Sequence, residues 1–387
     1  MGLRSGMGTK LLPLGLHLTV SGLSFLVMFC LAALGIQIVC LSILAGTFVF
    51  WREKREDVLA PVSVVVCARN EEFNLKILLP LLIDQSHPEY EIIVVSDRST
   101  DGSIDFLRRL AGKHSSVRYI DIEQVPDGVN GKKYALTRGI GMARHDVVLL
   151  TDADCRPGRK WVSEMASAFD AEARIVLGYS PYVRTSGLLN TFIRFETLLT
   201  GIQYIGLARL GLPYMGVGRN LAYRKSFFQE SKGFNGFMEV TGGDDDLWVN
   251  RNARGANTRI RSGADALVWS IPKTTWRAFL DQKLRHLSVG LRYRPLHRMI
   301  LGLFNASYLL SWILPIACLV FLVSPPLVWP WFVVRVILLM VLVVVASWRL
   351  GDKFNPWPVI LLDFLYVFYY ISTALRALFI RKLAWTN

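Results

Sequence analysis

Apolar positions in this chain are gathered into two long runs at its ends and broken into short, regularly spaced runs between them. Residues 11–50 contain no Asp, Glu, Lys or Arg, and across 299–348 the only charged side chain is Arg335. One bilayer crossing takes about 20 apolar residues, so both ends predict membrane-spanning helices. The first run accommodates two tight spans, or one span preceded by an interfacial segment. It is too long for a cleaved signal segment and has no small-residue cleavage site, which makes it an anchor. Near the other end, 301–323 and 327–348 predict two spans around a Ser-Pro-Pro loop, and 358–380 a weaker third that carries Asp363 and Arg376. A third crossing would leave Arg381 and Lys382 on the far side, against the positive-inside bias. Both parities stay open.

Between the ends the period changes. Short apolar runs at 62–67, 91–95, 117–122 and 147–150 predict strands, and helical periodicity at 75–83, from Gly102 to about Leu110, and at 132–143 predicts the helices between them. Alternation of this kind implies parallel βαβ units with right-handed crossovers and a ligand site at the carboxyl ends of the strands. Further on, 175–179 and 221–223 predict strands. The mainly apolar 188–210 holds Arg194, Glu196 and Arg209, and so predicts a core or groove-lining helix rather than a span. Residues 276–291 place Trp276, Phe279, Leu280, Leu284, Leu287 and Leu291 on one stripe, with Gln282, Arg285 and His286 roughly opposite. That distribution predicts an interfacial helix or an ordinary amphipathic helix packed on the core.

Composition sharpens this division. At 52% hydrophobic and a mean hydropathy of +0.36, the 387-residue chain is too apolar for an ordinary soluble enzyme. Its net charge of +14 does not point to nucleic acid, because residues 282–387 alone contribute +9, interleaved with the membrane segments. Basic residues so placed match the positive-inside bias and anionic headgroups. Five cysteines without a C-x-x-C pair indicate neither a zinc site nor a disulfide framework.

Candidate chemistry begins at Val147-Val148-Leu149-Leu150-Thr151-Asp152-Ala153-Asp154. Two carboxylates two positions apart on extended backbone share a face, and hard oxygen ligands at a strand end suit Mg²⁺ or Mn²⁺ shared with substrate phosphates. The bland alternative is a solvated turn. Gly131-Lys132-Lys133 opens a helix whose first amides suit a phosphate, or else Lys132 is simply solvated. Around Gly218 and Asn220 a glycine-rich stretch suits close backbone approach to a ligand, or a tight turn before a strand. Asp244-Asp245-Asp246 exceed what capping a helix start requires, leaving at least one acid for chemistry, and Gly255 is placed to close that short helix. Neither G-x-G-x-x-G nor G-x-x-x-x-G-K-[ST] occurs, which disfavours a dinucleotide or P-loop fold.

In this order, over roughly residues 60–290, the motifs resemble the family-2 glycosyltransferases of the GT-A fold, in the membrane-anchored subset related to cellulose, hyaluronan and ceramide-sugar synthases. Ala68-Arg69-Asn70-Glu71-Glu72 is similar to the family's A-x-N-E opening, and Asp97 to the Asp that recognises the nucleotide base. Gly131-Lys132 with Ala135-Leu136 resembles G-K-x-x-A-L, and Asp152-Ala153-Asp154 the D-x-D that holds ribose and metal-bound diphosphate. Gly243-Asp244-Asp245-Asp246-Leu247 resembles E-D-x-D-L, and 282–286 resembles Q-x-x-R-W. Three departures stand out: Ser96 for a first Asp, Gly243 for Glu, and His286 for an aromatic that borders the acceptor in processive synthases.

The resemblance implies an α/β, mostly parallel GT-A sheet flanked by helices, with transmembrane helices at both termini. It assigns the base to Asp244 and nucleotide-sugar binding to Ala68, Asn70, Glu72, Asp97, Lys132, Asp152, Gly218, Asn220, Gln282 and Arg285. The acceptor side falls to Asp245, Asp246 and His286, and Mg²⁺ or Mn²⁺ to Asp154 and Asp152. The expected organisation is a membrane anchor at 1–57, a cytosolic catalytic domain at 58–273, an interfacial helix at 274–298 and a membrane region at 299–387. The expected protein is a multi-pass component of the cell (inner) membrane with its catalytic domain in the cytoplasm. Expected activity is inverting transfer of a sugar from a nucleotide-sugar donor to a membrane lipid or lipid-linked acceptor. The alternatives are a processive polysaccharide synthase and a non-catalytic nucleotide-sugar-binding membrane protein. The sequence identifies no protein partner, sugar, nucleotide or acceptor.

Overall fold

The structure, a computed structural model, describes residues 20–57 and 59–379, without the side chains of 20–23, 286–288 and 377–379. The start of the N-terminal apolar run, Arg381 and Lys382, and the side chain of His286 therefore lie outside the described residues.

Nine strands form two sheets among the described residues: β1 Val62–Ala68, β2 Tyr90–Asp97, β3 Val117–Ile122, β4 Val147–Asp152, β5 Cys155–Pro157, β6 Ile175–Leu177, β7 Leu221–Arg224, β8 Thr258–Ile260 and β9 Val268–Ser270. The larger sheet runs β3-β2-β1-β4-β7-β6-β8. Strands β1 to β4 are mutually parallel, and β7 alone runs against its neighbours. This is a mostly parallel GT-A-type sheet. Val62, Val64 and Val66 pack into one apolar layer and Val65 into the other, which is why the central strand is a nearly unbroken valine run. Covering the two faces are α2 Glu72–Ile83, α3 Ser103–Ala111, α4 Gly131–Met142, α5 Trp161–Ala166, α6 Leu188–Arg209, α7 Lys225–Glu230 and α8 Asp246–Asn252.

Register places the site. Ala68 pairs with Ser96 and Cys67 with Asp152, so the carboxyl ends of β1, β2 and β4 lie level. Because β7 is antiparallel to β4, with Leu150 opposite Leu221, the 3-10 turn Gly218–Asn220 that precedes β7 arrives at the same edge. The two-stranded sheet of β5 and β9 pairs Cys155 with Ser270, tying the segment just beyond Asp154 to the approach of α9 Trp276–Gly290.

α6 is a core helix whose charges are paired: Arg194 with Asp352 at 2.6 Å, Arg209 with Glu53 at 2.9 Å, and Glu196 with Lys283 at 2.5 Å. The apolar stripe of α9 is divided. Phe279 and Leu284 are buried, Phe279 stacking on Tyr369, whereas Trp276 and Leu291 are exposed. Gly255 does not cap α8. That helix ends at Ala253 in extended conformation, and Gly255 instead lies so close to Gly211 that a Cβ would stand 2.8 Å from the Gly211 Cα.

Four described helices are long and apolar enough to cross a membrane: Ser24–Phe50 within α1 Val20–Phe50, α10 Pro295–Val320, α11 Pro325–Leu350, and Val359–Arg376 within α12 Val359–Phe379. Arg335 of α11 and Asp363 of α12 form an ion pair, and Asp363 also accepts from Tyr308 Oη and, at 2.8 Å, from Trp312 Nε1. The two fully buried charges of this apolar bundle, Arg335 and Asp363, are thus paired with each other, as burial of charge away from water requires.

Candidate active site

A cavity of about 190 Å³ opens at the level strand ends. β1 and the residues after it contribute Cys67, Ala68, Arg69 and Glu71, β2 contributes Asp97, and α4 contributes Lys132 and Ala135. The end of β4 and the turn that follows it complete the wall with Asp152, Ala153 and Asp154, so the carboxylate pair is delivered by a strand end and a turn rather than by extended backbone throughout.

Lys132 is not solvated at large. Its Nζ lies 3.1 Å from Asp152 Oδ1 and 3.2 Å from Asp244 Oδ2, joining the D-x-D to the acid loop with one cation. Burial disfavours charge on this lysine, but Asp152, Asp244 and Asp245 outweigh it and hold its pKa well above the ordinary range. Its neighbour Lys133 is fully buried and donates to the carbonyls of Val240 and, at 2.5 Å, Gly242. Two successive lysines on the first turn of α4 therefore grip the acid loop, one by its carboxylate and the other by its backbone.

That loop turns on Gly242 and Gly243, both at φ near +80°, a region open to glycine at little cost. The three acids that follow do different things. Asp245 caps α8, accepting from Asp246 N at 2.7 Å and from Gly218 N at 2.7 Å. Burial and the neighbouring Asp244 push its carboxyl up to about 6. Asp246 accepts from Leu247 N at 2.6 Å and from Tyr293 Oη at 2.9 Å, and burial raises its pKa strongly. Asp244 is the one turned to Lys132. Burial pushes its carboxyl up, but Lys132 and Lys133 prevail and hold it below the ordinary range.

Other expected residues divide between the cavity and its supports. Asp97 lines the cavity and is bound by Arg98, whose Nε and Nη2 donate at 2.7 and 3.0 Å. Asn70 faces away, accepting from Thr100 N at 2.7 Å and so stapling the β1 and β2 loops together. Glu72 pairs with Lys76 at 2.7 Å and packs on Gly102, whereas the preceding Glu71 reaches the cavity. Asn220 is fully buried and saturated, accepting from Trp161 Nε1 at 2.9 Å and donating to the Tyr179 and Ala266 carbonyls at 2.8 Å each. Gly218 spends its amide on Asp245. Glu72, Asn70, Asn220 and Gly218 thus support the site from outside the cavity lining. Gln282 donates to Tyr182 Oη at 3.4 Å, and Arg285, one turn further along α9, is also engaged within the fold. Glu71, Tyr182 and Arg219 received no role from the sequence: Glu71 lines the cavity, whereas Tyr182 and Arg219 lie outside its lining. Arg219 is the large cation between two small residues chosen for backbone approach, and it stacks on Tyr182 with 4.5 Å from Cζ to the ring centroid.

The acidic wall fits a divalent cation in its donor set. Burial, and then Asp152, raises the Asp154 carboxyl; burial, opposed by Asn74, and then Asp154 and Asp152 raise Glu71. This is an excess of negative charge that a hard cation would relieve. No group of three metal-holding His, Cys, Asp or Glu residues occurs among the described residues, so part of the coordination would have to come from a ligand such as a diphosphate.

Residues 63–231 match the family model described as Glycosyl transferase family 2. A curated relative, the probable glycosyltransferase YdaM of Bacillus subtilis (strain 168), is 27% identical over 245 residues, covering 61% of this chain and 56% of that protein. The hyaluronan synthase of Pasteurella multocida is 28% identical over 128 residues, 32% of this chain and 13% of the synthase. The matched stretch thus spans about half or less of these relatives' own lengths. Among solved structures, a mannosyltransferase from Pyrobaculum calidifontis in complex with GDP-Man and Mn²⁺ superposes with a TM-score of 0.59 at 18% identity, covering 93% of this chain and 99% of that one. At that identity the likeness establishes the fold.

Proposed function

Since the chain carries a glycosyltransferase family 2 domain on a GT-A fold, we propose that it moves a sugar from a nucleotide-sugar donor to a membrane lipid or lipid-linked acceptor at the cytoplasmic face of the cell (inner) membrane. The observation that carries this reading is the position of Lys132 between Asp152 and Asp244. One cation links the carboxylate pair suited to a donor with the acid suited to an acceptor. Four described helices long and apolar enough for membrane crossing, on both sides of the catalytic body in sequence, support a site that works next to lipid.

In this mechanism Asp97 and Ala68 border the nucleoside, and the D-x-D faces the diphosphate. Asp154 and Asp152 would hold Mg²⁺ or Mn²⁺, which supplies positive charge to the departing diphosphate. Lys132, and Gln282 with Arg285 from α9, add donors to the same group. Asp244 takes the proton of the acceptor hydroxyl. The acceptor oxygen bonds to the anomeric carbon as the bond from that carbon to the diphosphate oxygen breaks, and the nucleoside diphosphate leaves. A single displacement of this kind inverts the anomeric centre. Asp245 and Asp246, held by backbone amides and Tyr293, shape the acceptor side rather than accept its proton.

Transfer of labelled sugar from a panel of nucleotide sugars into membrane lipid extract tests this, with Mg²⁺ or Mn²⁺ against EDTA and with wild type against Asp244→Asn. A labelled lipid, dependent on metal and lost in the variant, is the expected result. A labelled polymer ladder would replace the proposal with processive synthesis, and donor binding without any product would replace it with a non-catalytic role.

A further inference from the structure

Arg219 sits on the 3-10 turn between two residues whose interactions are fully spent. The Gly218 amide is bonded to Asp245, and the Asn220 side chain makes three buried hydrogen bonds. The backbone that carries Arg219 is thereby pinned on both sides. The guanidinium itself is poorly satisfied. Nη2 reaches the Ser180 carbonyl at 3.5 Å, the planar group lies over the Tyr182 ring, and Nη1 is buried with no acceptor. No carboxylate lies within ion-pair distance of it among the described residues, and the antiparallel register of β7 on β4, Leu221 opposite Leu150, carries its turn to the strand edge where Asp152 and Asp154 emerge. A planar, partly buried cation on a pinned turn, with an idle donor, is suited to a phosphate, which guanidinium binds in bidentate fashion. Tyr182, beneath it, takes the hydrogen bond of Gln282, so the turn is also linked to α9.

We propose that Arg219 is a diphosphate-binding residue for the donor, holding the phosphates from the Asp154 side as Lys132 does from the Asp152 side. This rests on the glycosyltransferase reading above. The alternative role is purely structural, a cation that offsets the acidic pair.

The test is binding of UDP and GDP, and of uridine and guanosine, to the purified full-length protein in detergent. Wild type, Arg219→Met and Arg219→Lys are compared with Mn²⁺ and with EDTA, alongside their melting temperatures. In Arg219→Met the preferred diphosphate should bind about tenfold to a hundredfold more weakly, the nucleoside should bind as in wild type, and the loss should persist in EDTA. Arg219→Lys keeps the charge without the fork and should fall between. If the Met variant does not fold, the Lys variant carries the test, with a several-fold loss for diphosphate alone. Diphosphate affinity within twofold of wild type, equal losses for diphosphate and nucleoside, or a loss seen only with Mn²⁺ would each overturn the proposal. Wild type that binds neither diphosphate would bring down the glycosyltransferase reading with it.

Discussion

The donor-side half, β1 to β4 with α2 to α4, and the acid loop ahead of α8 meet at Lys132 but are held in place by different means. In the first, backbone pairing does the positioning: strand register alone brings Ala68, Asp97 and Asp152 to one level. In the second, side chains hold backbone. Lys133 grips the Val240 and Gly242 carbonyls, Gly218 and Tyr293 hold Asp245 and Asp246, and two glycines at positive φ make the turn. The contrast teaches where a substitution acts. A ligand residue on a strand end can change without disturbing the sheet, whereas most residues of the acid loop serve fold and site together.

The largest effect that would sharpen this contrast belongs to Asp154. Asp154→Asn should lower transfer by about a thousandfold and remove the Mn²⁺-dependent part of nucleoside diphosphate binding, while the melting temperature stays near that of wild type. A large drop in melting temperature would break the comparison, because it would make the D-x-D structural.

Lys132→Met should cost transfer about tenfold at neutral pH and also change its pH profile. Lys132 and Lys133 together hold the Asp244 carboxyl below the ordinary range against burial. Removing one cation leaves burial less opposed, so the Asp244 pKa rises and the acid limb of kcat moves to higher pH. Activity should therefore recover in part as pH is raised, and a profile with its acid limb unmoved would separate Lys132 from Asp244.

Smaller effects fall on stability. Asn220→Ala leaves Trp161 Nε1 and two buried carbonyls without their partner and should destabilise by about 3 kcal/mol, read as a lowered melting temperature. Its diphosphate-to-nucleoside affinity ratio should be unchanged in the folded fraction, unlike that of Arg219→Met. Gly243→Ala meets a φ of +81° and should cost about 1–2 kcal/mol, with turnover reduced more than donor affinity because the turn aims Asp244.

The donor-side half was legible because its signals are local. Contiguous apolar strands alternate with periodic helices, and the candidate site residues Ala68, Asp97, Asp152 and Asp154 lie at or just beyond strand ends, so order along the chain translates into position in space. The acid loop was less so. Asp244, Asp245 and Asp246 are chemically identical in sequence, and only the handed turn at Gly242 and Gly243 distributes them to Lys132, to the helix cap and to Tyr293. Glycine-rich backbone around Gly218 looked like a ligand approach, yet the spent groups there are Gly218 and Asn220, and the unspent one is Arg219. Strands β5 and β9 have three residues each, one contains Pro157, and their pairing joins Cys155 to Ser270, a distance along the chain that no local pattern reports. Glu71 and Glu72 differ by one step on the helix entry, enough to send one to the cavity and the other to Lys76.

The most direct test of the central claim, that Asp244 performs proton transfer at a site whose donor half is built separately, is to measure donor affinity and turnover on the same preparation of Asp244→Asn. Donor Kd within a few-fold of wild type, with kcat lower by about a hundredfold to ten-thousandfold, is the predicted result. Near-normal turnover, or a loss of donor affinity as large as the loss of turnover, would contradict it.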